Sequence, residues 1–287
     1  MAASKEGAKY MLLAVGFFSL SHASVKALSH LPFYELVFLR QLIALVICVY
    51  MIRHIGISPW GNNKKILILR GLMGTTALAC YFYSLHNMPL ATAVTLQYLS
   101  PITTLVFCHF FLNEKASKKS WAYFLLAFIG VCLVKGFDPR VSNLALAASL
   151  SAAVFGGAAY TTVRALKKTD HELVVVLYFP LVTLPIISPI ALYNWEWPVG
   201  NDWFFVASVG IFTFLAQYFM TKSYQLDRAE DVGIFNYLGL ILALVYGYFF
   251  FGESFGVWSF AGMGLVILSV LLATGKRPSL AWSPWRR

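Results

Sequence analysis

Ten apolar stretches follow one another along this chain with almost nothing between them. They run at 8–27, 33–52, 66–86, 91–112, 119–135, 143–163, 173–193, 203–221, 232–251 and 256–274. About 20 such residues cross the hydrocarbon core of a bilayer once as a helix. The breaks are short and carry turn chemistry: Ser29-His30-Leu31-Pro32, His86-Asn87-Met88-Pro89, Asp138-Pro139 and Trp197-Pro198-Val199-Gly200. Strict apolar–polar alternation, the pattern of a membrane β-barrel, is absent. Only 12% of the 287 residues are charged and 59% are hydrophobic, against roughly 25% charged in a soluble domain. That balance excludes a soluble enzyme, a nucleic-acid module and a disordered chain. The expected fold is an all-α integral membrane protein of ten transmembrane helices, with the bilayer as its main partner and no nucleic acid.

The net charge of +10 is a topology signal. With the N-terminus inside, eighteen Lys and Arg fall on the inner side, among them Lys64, Lys65 and Arg70, against Lys26, Lys135 and Arg140 outside. Arg40 stands within a span. This positive-inside bias predicts cytoplasmic N- and C-termini and an even number of spans. Short loops and no visible eukaryotic sorting signal point to a bacterial inner membrane. Ser21-His22-Ala23 resembles a signal-peptide cleavage site, but the repeat described next makes the first span part of the fold. Cys48, Cys80, Cys108 and Cys132 lie in apolar stretches without metal spacing and read as small buried hydrophobes. A homodimer is compatible with these features and not required by them.

Shifted by 139 residues, the second half falls on the first without a gap from 71 to 133. Matches include Gly71/Gly210, Ala77/Ala216, Tyr98/Tyr237, Leu99/Leu238, Phe110-Phe111/Phe249-Phe250 and Glu114/Glu253. Earlier the shift is 138, with Phe17/Phe155, Val25/Val163 and Lys26/Arg164. Two units follow, 1–138 and 139–287, each of five spans. Five is odd, so the second unit enters the membrane inverted. Inverted repeats are the signature of alternating-access transporters with a substrate site near the midplane.

The sequence carries Arg70-Gly71-Leu72-Met73-Gly74, Tyr83-Ser84-Leu85, Met88-Pro89-Leu90-Ala91-Thr92-Ala93, Tyr98-Leu99-Ser100-Pro101-Ile102, Leu112-Asn113-Glu114 and Gly130-Val131. A degenerate second copy runs from Ser223 to Glu253. These residues resemble the EamA family of the drug/metabolite transporter superfamily over nearly the whole chain. The resemblance implies a central cavity lined by the third, fourth, eighth and ninth helices, with contributions from the first and sixth. It also implies transport of small metabolites such as amino acids, and brings in a branch that carries S-adenosylmethionine and carboxylates. Asn113 departs from the family's usual Gly before the Glu, which affects a turn only.

An amide beside a tyrosine stands at equivalent depth in both halves: Gln97-Tyr98 in the fourth span and Asn236-Tyr237 in the ninth. Pro101 has no N–H, so the Gln97 carbonyl loses its helical partner. An opened backbone group beside an amide suits a polar solute where the helix lines a cavity. Interhelical hydrogen bonding by Gln97 and Asn236 is the equally weighted alternative. His22 in the first span matches Tyr160 in the sixth, and either can serve as a ligand or as a structural hydrogen-bonding group. His109 reads as interfacial. Arg40 either reaches outward to Glu35, the preferred reading, or faces inward toward an anionic group such as a substrate carboxylate. Gln217 is a weaker cavity candidate. Glu114 and Glu253 sit just before the fifth and tenth helices, where they can meet helix N-terminal N–H groups.

All twelve acidic residues lie in loops or at span ends, so no mid-membrane carboxylate is placed to relay protons. No phosphate loop, zinc-protease or serine-hydrolase motif is found, and neither a catalytic residue, a metal site nor a cofactor is expected. A lipid enzyme needs a nucleophile or a metal set, and a pore needs charge rings or carbonyl filters. The expected function is a secondary active or facilitative carrier of amino-acid-like small metabolites. The alternative is an uptake carrier for a nucleoside-like or carboxylate metabolite.

Overall fold

The computed structural model describes residues 5–97, 99–112, 141–193, 195–227, 237–254 and 256–274, with isolated positions between 122 and 133 and at 232 and 235. Among them the regular structure is helical. The order is α1 (Lys5–Ala27), α2 (Phe33–Ile55), α3 (Lys64–Asn87), α4 (Leu90–Gln97), α5 (Ser100–Phe111), α6 (Asn143–Ala165), α7 (Glu172–Tyr193), α8 (Asp202–Leu226), α9 (Tyr237–Phe251) and α10 (Val257–Thr274). Local chemistry sets several ends. The Asn63 side chain accepts from Ile66 N at 3.4 Å to cap α3, and Ser142 accepts from Ala145 N at 3.1 Å to cap α6. Gly56, with φ 76°, closes α2 and donates its N–H to Ile52 O, a left-handed position that favours glycine.

Six of the described helices are long and apolar enough to cross a membrane: Phe33–Ile55, Lys64–Asn87, Leu90–Phe111, Asn143–Lys168, Glu172–Tyr193 and Asp202–Leu226. The expected number was ten. The fifth expected stretch, 119–135, lies largely outside the described residues. The ninth and tenth correspond to α9 and α10, whose apolar parts among the described residues include Leu242–Phe251 and Phe260–Ser269. The first is a helix of 23 residues, but Ser19, Ser21, His22, Ser24 and Lys26 lower its hydropathy. Large apolar side chains cover the outside, among them Tyr50, Phe111, Phe249 and Phe250. In water such a surface would aggregate, whereas in lipid it is the solvated one.

The packing repeats when the two halves are exchanged. The two most extensive helix pairs are α1 on α8 and α3 on α6, and these correspond under the sequence shift. The pair α2–α7 corresponds to itself, and α2–α8 corresponds to α3–α7. Close approach follows the same rule. A Cβ on Gly71 would lie 2.6 Å from Val182 Cβ, and one on Gly210 would lie 2.6 Å from Ile43 Cβ. Val182 and Ile43 are themselves 139 residues apart. Backbones come this near only where one side has no side chain, a recurrent device between membrane helices.

Candidate functional site

Where these helices cross they line a cavity of about 150 Å³. It is smaller than the roughly 300–1,000 Å³ typical of sites for drug-sized ligands. Its walls come from the first, third, fourth, sixth, eighth and ninth spans, as the family resemblance implies, and also from α2 and α7. Five sequence candidates meet there: His22, Arg40, Gln97, Tyr160 and Gln217. Tyr98, Asn236 and Glu114 lie outside the described residues. Tyr237 opens α9, and Pro101 lies in the first turn of α5. Glu253 stands away from the cavity.

Arg40 corrects the preferred expectation. It does not pair with Glu35, whose Oε1 instead accepts from Glu196 N at 2.6 Å. The Arg40 guanidinium turns inward, 5.4 Å from the ring centre of Phe179 and 5.6 Å from that of Phe82. Arg40 is 3% exposed, and its Nε and Nη1 have no protein partner. Two aromatic faces inside receive the cation directly.

The sequence reading missed Arg70, which it counted with the loop charges. The side chain is 2% exposed and sits 4.6 Å from the same Phe179 ring. Its Nη2 donates to Gln217 Oε1 at 3.3 Å, while Nε and Nη1 are unpartnered by protein. Arg70 lies six residues into α3, about 9 Å along its axis, and that depth was the available signal. Removing it from the inner side leaves the charge bias in place. Gly74, one turn on, makes room for it: a Cβ there would lie 2.3 Å from Arg70 Nη1 and 2.9 Å from Phe179 Cε2. The two guanidinium carbons, both over one ring, can be no more than about 10 Å apart. At that separation and an effective dielectric of about 20, two unit charges repel by about 1.7 kcal/mol.

The remaining polar groups are partly committed to one another. His22 Nδ1 is 3.4 Å from Tyr81 Oη, with the rings edge to face and Phe18 stacked on the other side. Ser21 Oγ and Thr213 Oγ1 are 2.7 Å apart and join α1 to α8. Tyr160 packs against Tyr224 with ring centres 5.6 Å apart. The carbonyl of Gln97, expected to be open to a solute, accepts from Ser100 Oγ at 2.7 Å, and Gln97 Nε2 donates to the same oxygen at 3.0 Å. Helix-breaking by Pro101 therefore closes on a neighbouring serine, and the free group is Gln97 Oε1. Among the described residues, none that lines the cavity is Asp or Glu. The cavity thus presents two unneutralised guanidiniums, phenol and amide groups, and aromatic faces, which suits a small solute with an anionic group.

Two carboxylates tie the halves together away from the cavity. Glu253 Oε1 accepts from Leu90 N at 2.7 Å. It meets a helix N-terminus as expected, but that of α4 in the first half rather than of its own hairpin. Glu35, in the first half, makes the reciprocal contact to Glu196 in the second.

The EamA-like transporter family model matches this chain at residues 5–136 and 143–275. The pseudopaline exporter CntI of Pseudomonas aeruginosa is 28% identical over 93% of this chain and 95% of its own length. Solute carrier family 35 member G1 of Homo sapiens is 26% identical over 92% and 77%. The riboflavin transporter of Vibrio cholerae is 25% identical over 94% and 93%. A solved crystal structure superposes with a TM-score of 0.68 at 19% identity, covering 93% of this chain and 96% of that one, so the fold is shared. These relatives are transporters and not enzymes, and apolar spans embed the chain in a membrane. The chain belongs to the EamA-like transporter family.

Proposed function

We propose that the chain is a secondary or facilitative carrier that moves small organic metabolites by alternating access, with the central cavity as its substrate site. One observation carries the reading: polar side chains from both halves converge on one cavity at the helix crossing. Ten spans in two inverted units, 1–138 and 139–287, form the scaffold, both termini are cytoplasmic, and the membrane is a bacterial inner membrane. The two family matches and the exchange-symmetric packing support the two units. The lining favours a carboxylate solute over an amino-acid-like one. Two guanidiniums attract a carboxylate, and among the described residues no acidic lining residue meets an ammonium. Among the described residues no carboxylate lines the cavity to carry protons, which supports transport driven by the solute gradient or by exchange.

Proteoliposome uptake of a radiolabelled panel of monocarboxylates, dicarboxylates, amino acids and nucleosides tests this. Saturable carboxylate uptake that Arg40→Ala removes is expected. Uptake confined to cations, or a non-saturating conductance, overturns it. Sidedness is tested separately in a variant without native cysteines. Cysteines placed at Asn87 and Pro198 label from outside, and one at Ser58 only after permeabilisation.

A further inference from the structure

Arg40 and Arg70 reach the cavity from different helices and stand over one phenyl ring, Phe179, at 5.4 and 4.6 Å. Each is more than nine-tenths buried. Each keeps Nε and Nη1 without a protein partner, and Arg70 is already steadied by Gln217. A single carboxylate neutralises one guanidinium and leaves the other charge buried and unpaired, which is unfavourable in a low-dielectric interior. A solute with two negative charges neutralises both. Planar guanidinium forks match carboxylate and phosphate oxygens two at a time, and both forks stand over the ring of Phe179. The small chamber limits the solute to a compact backbone.

We propose that this cavity selects compact organic dianions, with Arg40 and Arg70 each taking one anionic group, or sharing the oxygens of one phosphate, across the face of Phe179. The inference rests on the carrier reading for its biological sense, but recognition is measured without transport. Purified protein in nanodiscs is titrated calorimetrically with succinate, with butyrate as the monoanion of the same chain length, and with glycerol 3-phosphate. Succinate or glycerol 3-phosphate is expected to bind at least about 10-fold tighter than butyrate. Which of the two does so assigns the second charge to a carboxylate or to a phosphate. Arg40→Gln and Arg70→Gln are each expected to weaken the preferred dianion by about 10- to 100-fold, the range for losing a charge-assisted hydrogen bond. The dianion-to-monoanion ratio should fall toward one in both.

Equal affinity for butyrate and both dianions in the unaltered protein overturns the proposal, and so does parallel loss of all probes in both variants with the ratio unchanged. If the glutamine variants do not fold, Arg40→Lys and Arg70→Lys keep the charges, and retention of the ratio in them is expected. Failure of the carrier reading looks different. A dianion that binds with the expected ratio but is not moved into proteoliposomes leaves this site standing and removes alternating access. A monocarboxylate that is moved while dianions do not bind does the reverse.

Discussion

The two halves of the molecule agree where their backbones touch and disagree where their side chains face the cavity. At the helix crossings the correspondence is close: Gly71 against Val182 repeats as Gly210 against Ile43, with the same 2.6 Å approach. Inside the chamber it fails. Arg40 in α2 stands against Phe179 in α7, 139 residues on, the offset by which the packing relates Ile43 to Val182. Arg70 corresponds to Val209, and Gly74, which makes room for the guanidinium, corresponds to Thr213. A duplicated scaffold is constrained at every close contact, because a misplaced methyl group there shifts a whole helix. Its cavity carries no such constraint, so one half can hold both cations while the other supplies the ring that both stand over.

The largest expected effect tests whether the half that carries the charge matters. Arg40→Phe removes one cation from the chamber and is expected to weaken anion binding by about 10- to 100-fold. The exchange Arg40→Phe with Phe179→Arg restores the charge at the corresponding position across the crossing. Recovery of at least part of the lost affinity, measured by the same titration, is expected if the chamber reads charge and not its half of origin. No recovery, in a protein that unfolds at the parental temperature, makes the asymmetry itself the specificity device.

The next effect concerns the part that agrees. Gly71→Ala and Gly210→Ala each put a methyl group into a neighbouring β-branched side chain, and overpacking of this kind costs about 1–3 kcal/mol. Matching losses in thermal unfolding in detergent are expected. Loss in one variant with none in the other breaks the equivalence of the two crossings.

The scaffold was more legible in the sequence than the chamber, for a physical reason. Apolar runs, turn residues and the 139-residue shift are local or periodic signals, and α2, α3, α6, α7 and α8 appear within a few residues of where they were expected. Five cavity residues could be named because a polar side chain within an apolar span is conspicuous. Arg70 escaped because a cation near a span end also satisfies the positive-inside rule, and sequence does not tell a snorkelling arginine from an inward one. Phe179 escaped because one phenylalanine among 24 carries no mark of lying under two guanidiniums. The direction in which Arg40 turns was decided by rings on α3 and α7, far away along the chain.

A smaller effect probes the ties between the halves. Glu35→Gln and Glu253→Gln each weaken a carboxylate contact to a backbone N–H of the opposite half. Losses of about 0.5–2 kcal/mol, the range for removing a helix cap, are expected in both, with anion affinity unchanged because neither residue lines the cavity. A change in affinity without loss of stability in either variant would assign that tie to the conformational cycle.

The smallest expected effect lies at the hydroxyl pair that joins α1 to α8. Ser21 and Thr213 share a hydrogen bond at 2.7 Å. The corresponding positions in the other crossing, Ala159 and Gly74, have no hydroxyl. The second crossing therefore holds α3 to α6 without this bond. Hydrogen bonds between membrane helices average about 0.6 kcal/mol by double-mutant cycle. Ser21→Ala and Thr213→Val should each lower stability by about that amount, and the double variant by little more than either alone. Additive losses would mean that the two hydroxyls have separate partners. The pair also lines the chamber, so a loss of solute affinity larger than the loss of stability would move these hydroxyls from scaffold to site. In that case the first crossing would differ from the second in the same way the cavity does, and the line between the symmetric scaffold and the asymmetric chamber would run through α1.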